Sequence, residues 1–230
     1  MHILRFNIKF FLLLFSALFA VSAQTIAQDL KVVSRYREYT DLVQHDSLQK
    51  MVEVKGFVPS AVYDLRYATK NNFTKEKLYK SGDKTFLRLP AAKALQDVAA
   101  ELWAAGYTLK IWDAYRPYSV TKKMWDLIHD DRYVADPSKG SGHNRGLAID
   151  LTLMKDGKEV DMGTGFDNFT DSAHRDFKDL PEEVLKNRLL LQTTMEKHSF
   201  KGLPTEWWHF SFPNDGRYDV LDIDFKKLAH

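Results

Sequence analysis

The 230-residue chain predicts a single α+β domain, with a small, mostly antiparallel sheet flanked by helices. Two observations carry this. Helical and strand periodicities are interspersed without the regular strand–helix–strand rhythm of a doubly wound sheet. Composition is that of a folded globular protein, 44% hydrophobic and 13% aromatic, enough for one sizeable core. No repeat, low-complexity tract or linker divides the chain. Its organisation reads as an export signal (1–23), an N-terminal arm (24–53) and one domain (54–230).

The start of the chain is basic, with Arg5 and Lys9 ahead of an apolar run from Phe10 to Val21. Val21 and Ala23 then stand where a signal peptidase reads small residues. The run is about a dozen residues, short of the about 20 needed to span a bilayer. Cleavage after Ala23 is expected, and a retained anchor is the alternative. The mature protein is expected to be exported, periplasmic where the cell has two membranes, with no stable membrane insertion. Arg5 and Lys9 are also the whole of the +2 formal charge that 33 Lys+Arg leave against 31 Asp+Glu. A neutral body gives no electrostatic reason for a nucleic-acid partner, and nothing in the sequence identifies a protein partner. The absence of cysteine excludes disulfides, thiolate metal sites and a cysteine nucleophile.

Val54 to Thr69 reads as short extended pieces broken by Gly56 and Pro59, and 70–88, rich in Lys, Asn and Gly, as loop. Pro90 to Ala105 has Leu95, Val98 and Leu102 at helical spacing, proline in the first turn and Gly106 just past the end. Tyr107 to Trp112 alternates as a strand. A second helix is expected over Tyr118–His129, then a loop over 130–142. Leu147 to Leu153 alternates again, with Ala148, Asp150 and Thr152 on one face. A third helix covers Pro181–His198, and a short strand His209–Phe212 closes at Pro213.

The chemistry concentrates in three places. In Ser141-Gly-His143-Asn-Arg-Gly146-Leu-Ala-Ile-Asp150, a histidine enters through a Gly-rich loop and an aspartate sits inside an apolar strand. A buried carboxylate needs a cation, a hydrogen-bond cluster or a metal. In Glu206-Trp-Trp-His209, a second histidine follows a glutamate by three residues. His143, Asp150 and His209 make a two-imidazole, one-carboxylate set, and catalytic zinc typically takes three such ligands and keeps a fourth position for water. Glu206 would be the base beside that water. The same set can hold non-haem Fe(II), and zinc is preferred on ligand type and redox-free chemistry. Third, Pro117 fixes Arg116 at the end of a strand in Asp113-Ala-Tyr115-Arg116-Pro117. Its guanidinium could stabilise an oxyanion or bind a carboxylate, or simply pair with Asp113.

At these residues the sequence resembles the VanX-type D-alanyl-D-alanine dipeptidases, zinc peptidases that share a fold with the hedgehog signalling domain. The matching motifs are Ser141 to Asp150 and Glu206 to His209. Further similar stretches are Tyr63-Asp-Leu-Arg-Tyr-Ala-Thr69, Asp113 to Pro117 and Met162-Gly-Thr-Gly-Phe-Asp167. The resemblance implies one Zn²⁺ per chain on His143, Asp150 and His209, Glu206 as catalytic base, and Arg116 steadying the tetrahedral intermediate. It places Ser141 and Asp167 in the pocket for a small D,D-dipeptide, and Trp208 adjoins that pocket through its neighbours. The expected reaction is hydrolysis of D-Ala-D-Ala to two D-alanines. Rival expectations are a D,D-carboxypeptidase or endopeptidase on longer peptidoglycan peptides, and a non-catalytic zinc-stabilised binding module. The export signal departs from the best-known members, which act in the cytoplasm in glycopeptide resistance, and favours wall turnover.

Overall fold

A computed structural model describes residues 30–80 and 84–229, so the stretch expected to be an export signal lies outside the described residues. The chain runs β1 (Val32–Val33), α1 (Tyr36–His45), β2 (Met51–Glu53), β3 (Val62–Tyr63), β4 (Phe86–Arg88), α2 (Leu89–Ala104), β5 (Thr108–Asp113) and α3 (Tyr118–Ile128). It continues through α4 (Gly142–Arg145), β6 (Ala148–Lys155), β7 (Lys158–Glu159), α5 (Glu182–Lys197), β8 (Lys201–Leu203), β9 (Glu206–Ser211), β10 (Val220–Leu221) and α6 (Phe225–Leu228).

The main sheet has the order β3-β5-β6-β9-β8, with β7 also paired to β6. Only β3–β5 is parallel within it; the other pairings are antiparallel. This is the mixed α+β architecture expected. The core strand β6 is buried from Ala148 to Leu153, with Ile149 and Leu151 on one face and Ala148 and Asp150 on the other. Helix α2 buries Leu95, Val98 and Leu102 and packs on β5 and α5, while α5 also lies against β8 and β9. Gly106, at φ +82°, ends α2 in the left-handed region that its lack of a side chain permits.

Three stretches differ from expectation. Val54–Gly56 and Arg66–Ala68 are 3-10 turns, because their amides close locally, as in Phe57 N–H to Val54 O and Thr69 N–H to Arg66 O. Residues 86–88, read as loop, form β4 against β2, with Phe86 and Leu87 buried. Three residues are too few to show a period. Strand β9 starts at Glu206 rather than His209. In the segment read as an arm, Val33 is fully buried beside β10, and the buried Tyr39 hydroxyl accepts the Met51 N–H.

Candidate active site

Two register features bring the polar residues together. In β5, Ile111 faces Leu151 on β6, but Asp113, not Trp112, faces Asp150. This bulge turns Asp113 to the same side as Asp150, since directly opposed residues share a face. On the other side of β6, Asp150 faces His209. Asp113, Asp150 and His209 therefore form a row across three strands. His143 comes from α4, which folds because Ser141 and Asn144 cap it reciprocally, the Ser141 hydroxyl accepting the Asn144 N–H and the Asn144 side chain accepting the Ser141 N–H. Gly146 ends that turn at φ +70°, where a side chain would run into Met51.

Each imidazole is oriented by a bond from the nitrogen that faces away. His143 Nδ1–H donates to the Ala114 carbonyl at 2.6 Å, and His209 Nε2 shares a hydrogen bond with Ser211 Oγ at 3.1 Å. A carbonyl only accepts, so Ala114 fixes the His143 tautomer and leaves Nε2 as a lone pair, while the Ser211 contact turns His209 Nδ1 toward the cluster. The two nitrogens lie 3.1 Å apart, and the Asp150 oxygens are 3.0 Å from His209 Nδ1 and 3.3 Å from His143 Nε2. Ligands bonded at about 2.0–2.1 Å around a tetrahedral Zn²⁺ stand about 3.3 Å from one another. Among the described residues, His143, Asp150 and His209 are the group of three whose ligand atoms converge on one point in this way. Their charge states suit a cation. Burial opposes charge on Asp150, but His143 and His209 outweigh it and hold the carboxyl well below the usual range. Burial lowers His209, against the pull of Asp150, and so favours the neutral imidazole that a metal needs. The donor set therefore fits a divalent metal.

Glu206 Oε2 lies 3.8 Å from His209 Nδ1, and only 7% of the residue is exposed. Burial, then Asp150 and Asp167, push its carboxyl well above the ordinary glutamate value. A divalent charge on the neighbouring ligands acts in the opposite sense.

Facing this cluster is a buried ion pair. Arg116 donates from Nε and Nη2 to Asp113 Oδ2 at 3.0 and 2.9 Å, and Tyr79 OH donates to Asp113 Oδ1 at 2.6 Å. Burial raises the Asp113 carboxyl, yet these three donors favour its charged form. Burial also opposes the Arg116 charge, but Asp113 outweighs it and the guanidinium stays charged. Arg116 Nη2 is 3.9 Å from Asp150 Oδ2, and its guanidinium lies 4.9 Å from the centre of the Tyr67 ring. The pairing of Arg116 with Asp113 and its position beside the cluster thus hold together. Tyr67 OH donates in turn to Asp167 Oδ1 at 2.8 Å, while Asp167 Oδ2 is buried with no partner among the described residues. Burial pushes the Asp167 carboxyl up to about 7.

His143, Asp150, His209, Glu206, Arg116, Tyr67, Asp167 and Ser211 line one cavity of about 270 Å³, and Asp113, Tyr79 and Ala114 do not. Of the residues singled out in the sequence, the structure brings together His143, Asp150, His209, Glu206, Arg116, Asp167, Trp208 and Ser141. The Ser141 hydroxyl is engaged in capping α4. Trp207 instead turns its Nε1–H to Thr164 Oγ1. Sequence reasoning missed Ser211, Tyr67 and Tyr79. Ser211 was legible in one respect, since it stands two residues from His209 on the same strand face.

A family model described as D-ala-D-ala dipeptidase matches residues 47–228. A D-alanyl-D-alanine dipeptidase of Escherichia coli (strain K12) is 35% identical over 177 residues, covering 76% of this chain and 91% of that protein. One of Enterococcus faecalis (strain ATCC 700802 / V583) is 31% identical over 169 residues, covering 64% and 84%. Among solved structures, a variant of the vancomycin resistance D,D-pentapeptidase VanY in complex with Zn(II) overlays at a TM-score of 0.39 and 17% identity, covering 57% of this chain and 75% of that one. The match along four fifths of the sequence and the shared extent with the first relative make this chain a member of the D-Ala-D-Ala dipeptidase family of metallopeptidases.

Proposed function

We propose that the chain hydrolyses D-Ala-D-Ala to two D-alanines, with one Zn²⁺ held by His143, Asp150 and His209. The observation that carries this is the convergence of three potential ligand atoms, 3.0 to 3.3 Å apart, with the Glu206 carboxyl beside them in one cavity. When bound, the metal supplies a Lewis acid that makes water more acidic and polarises the scissile carbonyl.

The chain's own residues do the rest. Glu206 takes the proton of the attacking water and delivers it to the nitrogen of the leaving D-alanine. Its buried setting raises its affinity for that proton, and the cation lowers it, so both transfers stay within reach. Arg116, locked by Asp113 and Tyr79, supplies a fixed positive charge where the carbonyl oxygen becomes negative. Asp167, held by Tyr67, leaves Oδ2 free to accept from the dipeptide's ammonium group. Ala114 keeps His143 in the tautomer that exposes Nε2, and Ser211 holds the His209 ring with Nδ1 toward the metal position. Trp208 and Ser141 close the wall.

A cavity of about 270 Å³ suits a dipeptide better than a pentapeptide stem. The measurement is D-alanine release by residues 24–230, from the dipeptide and from a muramyl pentapeptide, with a chelator and with zinc added back. Release from the dipeptide that the chelator abolishes and zinc restores is expected. Metal-loaded protein that cleaves only the pentapeptide would make this a carboxypeptidase, and protein that cleaves neither, a binding module. We propose too that residues 1–23 direct export, with wall turnover or scavenging as the setting. Cell fractionation checks this, and uncleaved protein confined to the cytosol would contradict it.

A further inference from the structure

Strand parity alone would not put Glu206 and His209 on one side. In a regular strand, residues three apart point to opposite faces. The β8–β9 hairpin removes the conflict with a break in register. Lys201 faces Ser211 and Gly202 faces Phe210, but Leu203 then faces Glu206. Trp207, Trp208 and His209 are looped out against β8, and the strand bends there.

One side chain spans this irregularity. Arg175 donates from Nε to the Leu203 carbonyl and from Nη2 to the His209 carbonyl, both at 2.8 Å. Its backbone N–H adds a bond to the Pro204 carbonyl at 2.9 Å. The guanidinium lies over the Phe210 ring, with its carbon 4.2 Å from the ring centre. The space it fills is the one that Gly202, opposite Phe210, leaves empty, since a Cβ on Gly202 would collide with the guanidinium. The turn that delivers Arg175 is pinned from below by Arg188, which donates to the Ser172 and His174 carbonyls. Planar two-point bonding of this kind is specific to a guanidinium, and a lysine ammonium cannot reproduce it.

We propose that Arg175 is a positioning residue of the hydrolysis: it clamps the two ends of the β8–β9 irregularity and thereby holds Glu206 and His209 together against the cavity. The proposal rests on the roles given above to His209 and Glu206. It separates Arg175 from Arg188 and Arg88, whose bonds to carbonyls do not touch a residue of the ligand set.

The test compares wild type with Arg175→Gln, Arg175→Lys and Gly202→Ala. The last keeps the arginine and denies its guanidinium the slot over Phe210. Zinc affinity is measured by competition with a chromophoric chelator, and kcat and KM for D-Ala-D-Ala at saturating zinc. Loss of an outer-shell partner typically weakens a metal site by about 10–100-fold, and that weakening is expected in Arg175→Gln and Gly202→Ala. Displacing the base by about 1 Å costs on the order of 10² in kcat, with KM little changed because Asp167 and Tyr67 stand on other segments. Arg175→Lys should not rescue either value. The double variant Arg175→Gln/Gly202→Ala should be no worse than the poorer single one, since both remove the same clamp. A merely structural arginine would lower the melting temperature and leave kcat per folded, zinc-loaded molecule at the wild-type value, which would overturn the proposal. Should Arg175→Gln fail to fold, Arg175→Lys and Gly202→Ala decide it alone. If wild type itself shows no chelator-sensitive release, the assigned function fails instead, and the zinc affinities still report whether Arg175 holds His209.

Discussion

On the ligand side of the cavity, His143 Nε2, His209 Nδ1 and the Asp150 carboxylate converge within 3.0 to 3.3 Å. On the arginine side, only a few ångströms away, every charge has its counter-charge: both Asp113 oxygens are bonded, and Arg116 is the donor to one of them. Both sides are almost fully buried. The difference is that one is a closed ion pair and the other presents three ligand atoms at the spacing of a metal site. Burial of a polar cluster therefore does not by itself mark a metal site. Two imidazoles and a carboxylate whose ligand atoms converge at the spacing of a metal site are the better sign.

The sharpest way to break the ligand side is to remove one donor. His143→Ala should lose both metal and activity, with the metal content of dialysed protein reading the first and D-alanine release the second. Chelation of wild type should lower its melting temperature, since the metal binds the folded state alone. The same chelator should leave the melting temperature of His143→Ala unmoved, because the arginine side needs no ion.

Next in size is Glu206→Gln, which keeps the shape of the side chain and removes its capacity to carry the proton. Positioned acid–base groups contribute about 10²–10⁴ in rate, so kcat should fall by that amount while zinc content stays at one per chain. Near wild-type turnover in a zinc-loaded Glu206→Gln protein would remove Glu206 from the mechanism.

The arginine side gives a smaller loss in rate and a larger one in stability. Arg116→Lys should cost about 10²–10³ in kcat if the fixed charge acts on the developing oxyanion. Arg116→Met goes further, leaving Asp113 buried without its cation, and unpairing a buried charge costs about 3–5 kcal/mol in unfolding free energy. Denaturant melts and kinetics on the two variants separate these effects. A full loss of stability with unchanged kcat in Arg116→Lys would reduce Arg116 to the partner of Asp113.

Much of this contrast is readable in the residues and part of it is not. Asp150 stands out because a carboxylate interrupts an apolar alternation, and Arg116 because Pro117 fixes it at a strand end. The helix over 89–104 follows from apolar spacing, proline and glycine, and the one over 182–197 opens just after Pro181. The relative placement does not follow. A one-residue bulge at Trp112 decides whether Asp113 or an indole faces Asp150, and a register shift between Gly202 and Leu203 decides whether Glu206 meets His209. Both depend on pairings far along the chain, and local periodicity is silent on register. Tyr67 and Tyr79 were hidden for another reason. They lie in or beside segments without a period, and their hydroxyls find partners 100 and 34 residues away.

The last prediction transfers the comparison to an ion cluster that water reaches. At the edge of the same sheet, Asp64 Oδ2 accepts from Arg66 Nε at 2.9 Å and Lys110 Nζ at 3.1 Å, and its side chain is 32% exposed. Burial opposes the Asp64 charge, but the bonds from Lys110 and Arg66 outweigh it and lower the pKa below 3.8. A carboxyl depressed on folding stabilises the native state above its unfolded pKa, and that contribution fades as pH falls through the folded value. Asp64→Asn should therefore cost less than about 1 kcal/mol at pH 7, as partly exposed pairs do. The gap between variant and wild type should close as the pH drops below 3.8, the ordinary value of the group. Urea melts at pH 7 and at successively lower pH measure that gap. A loss as large as that of Arg116→Met would mean that solvent screens the edge cluster no better than the interior screens Asp113, and exposure could no longer be used to rank the two.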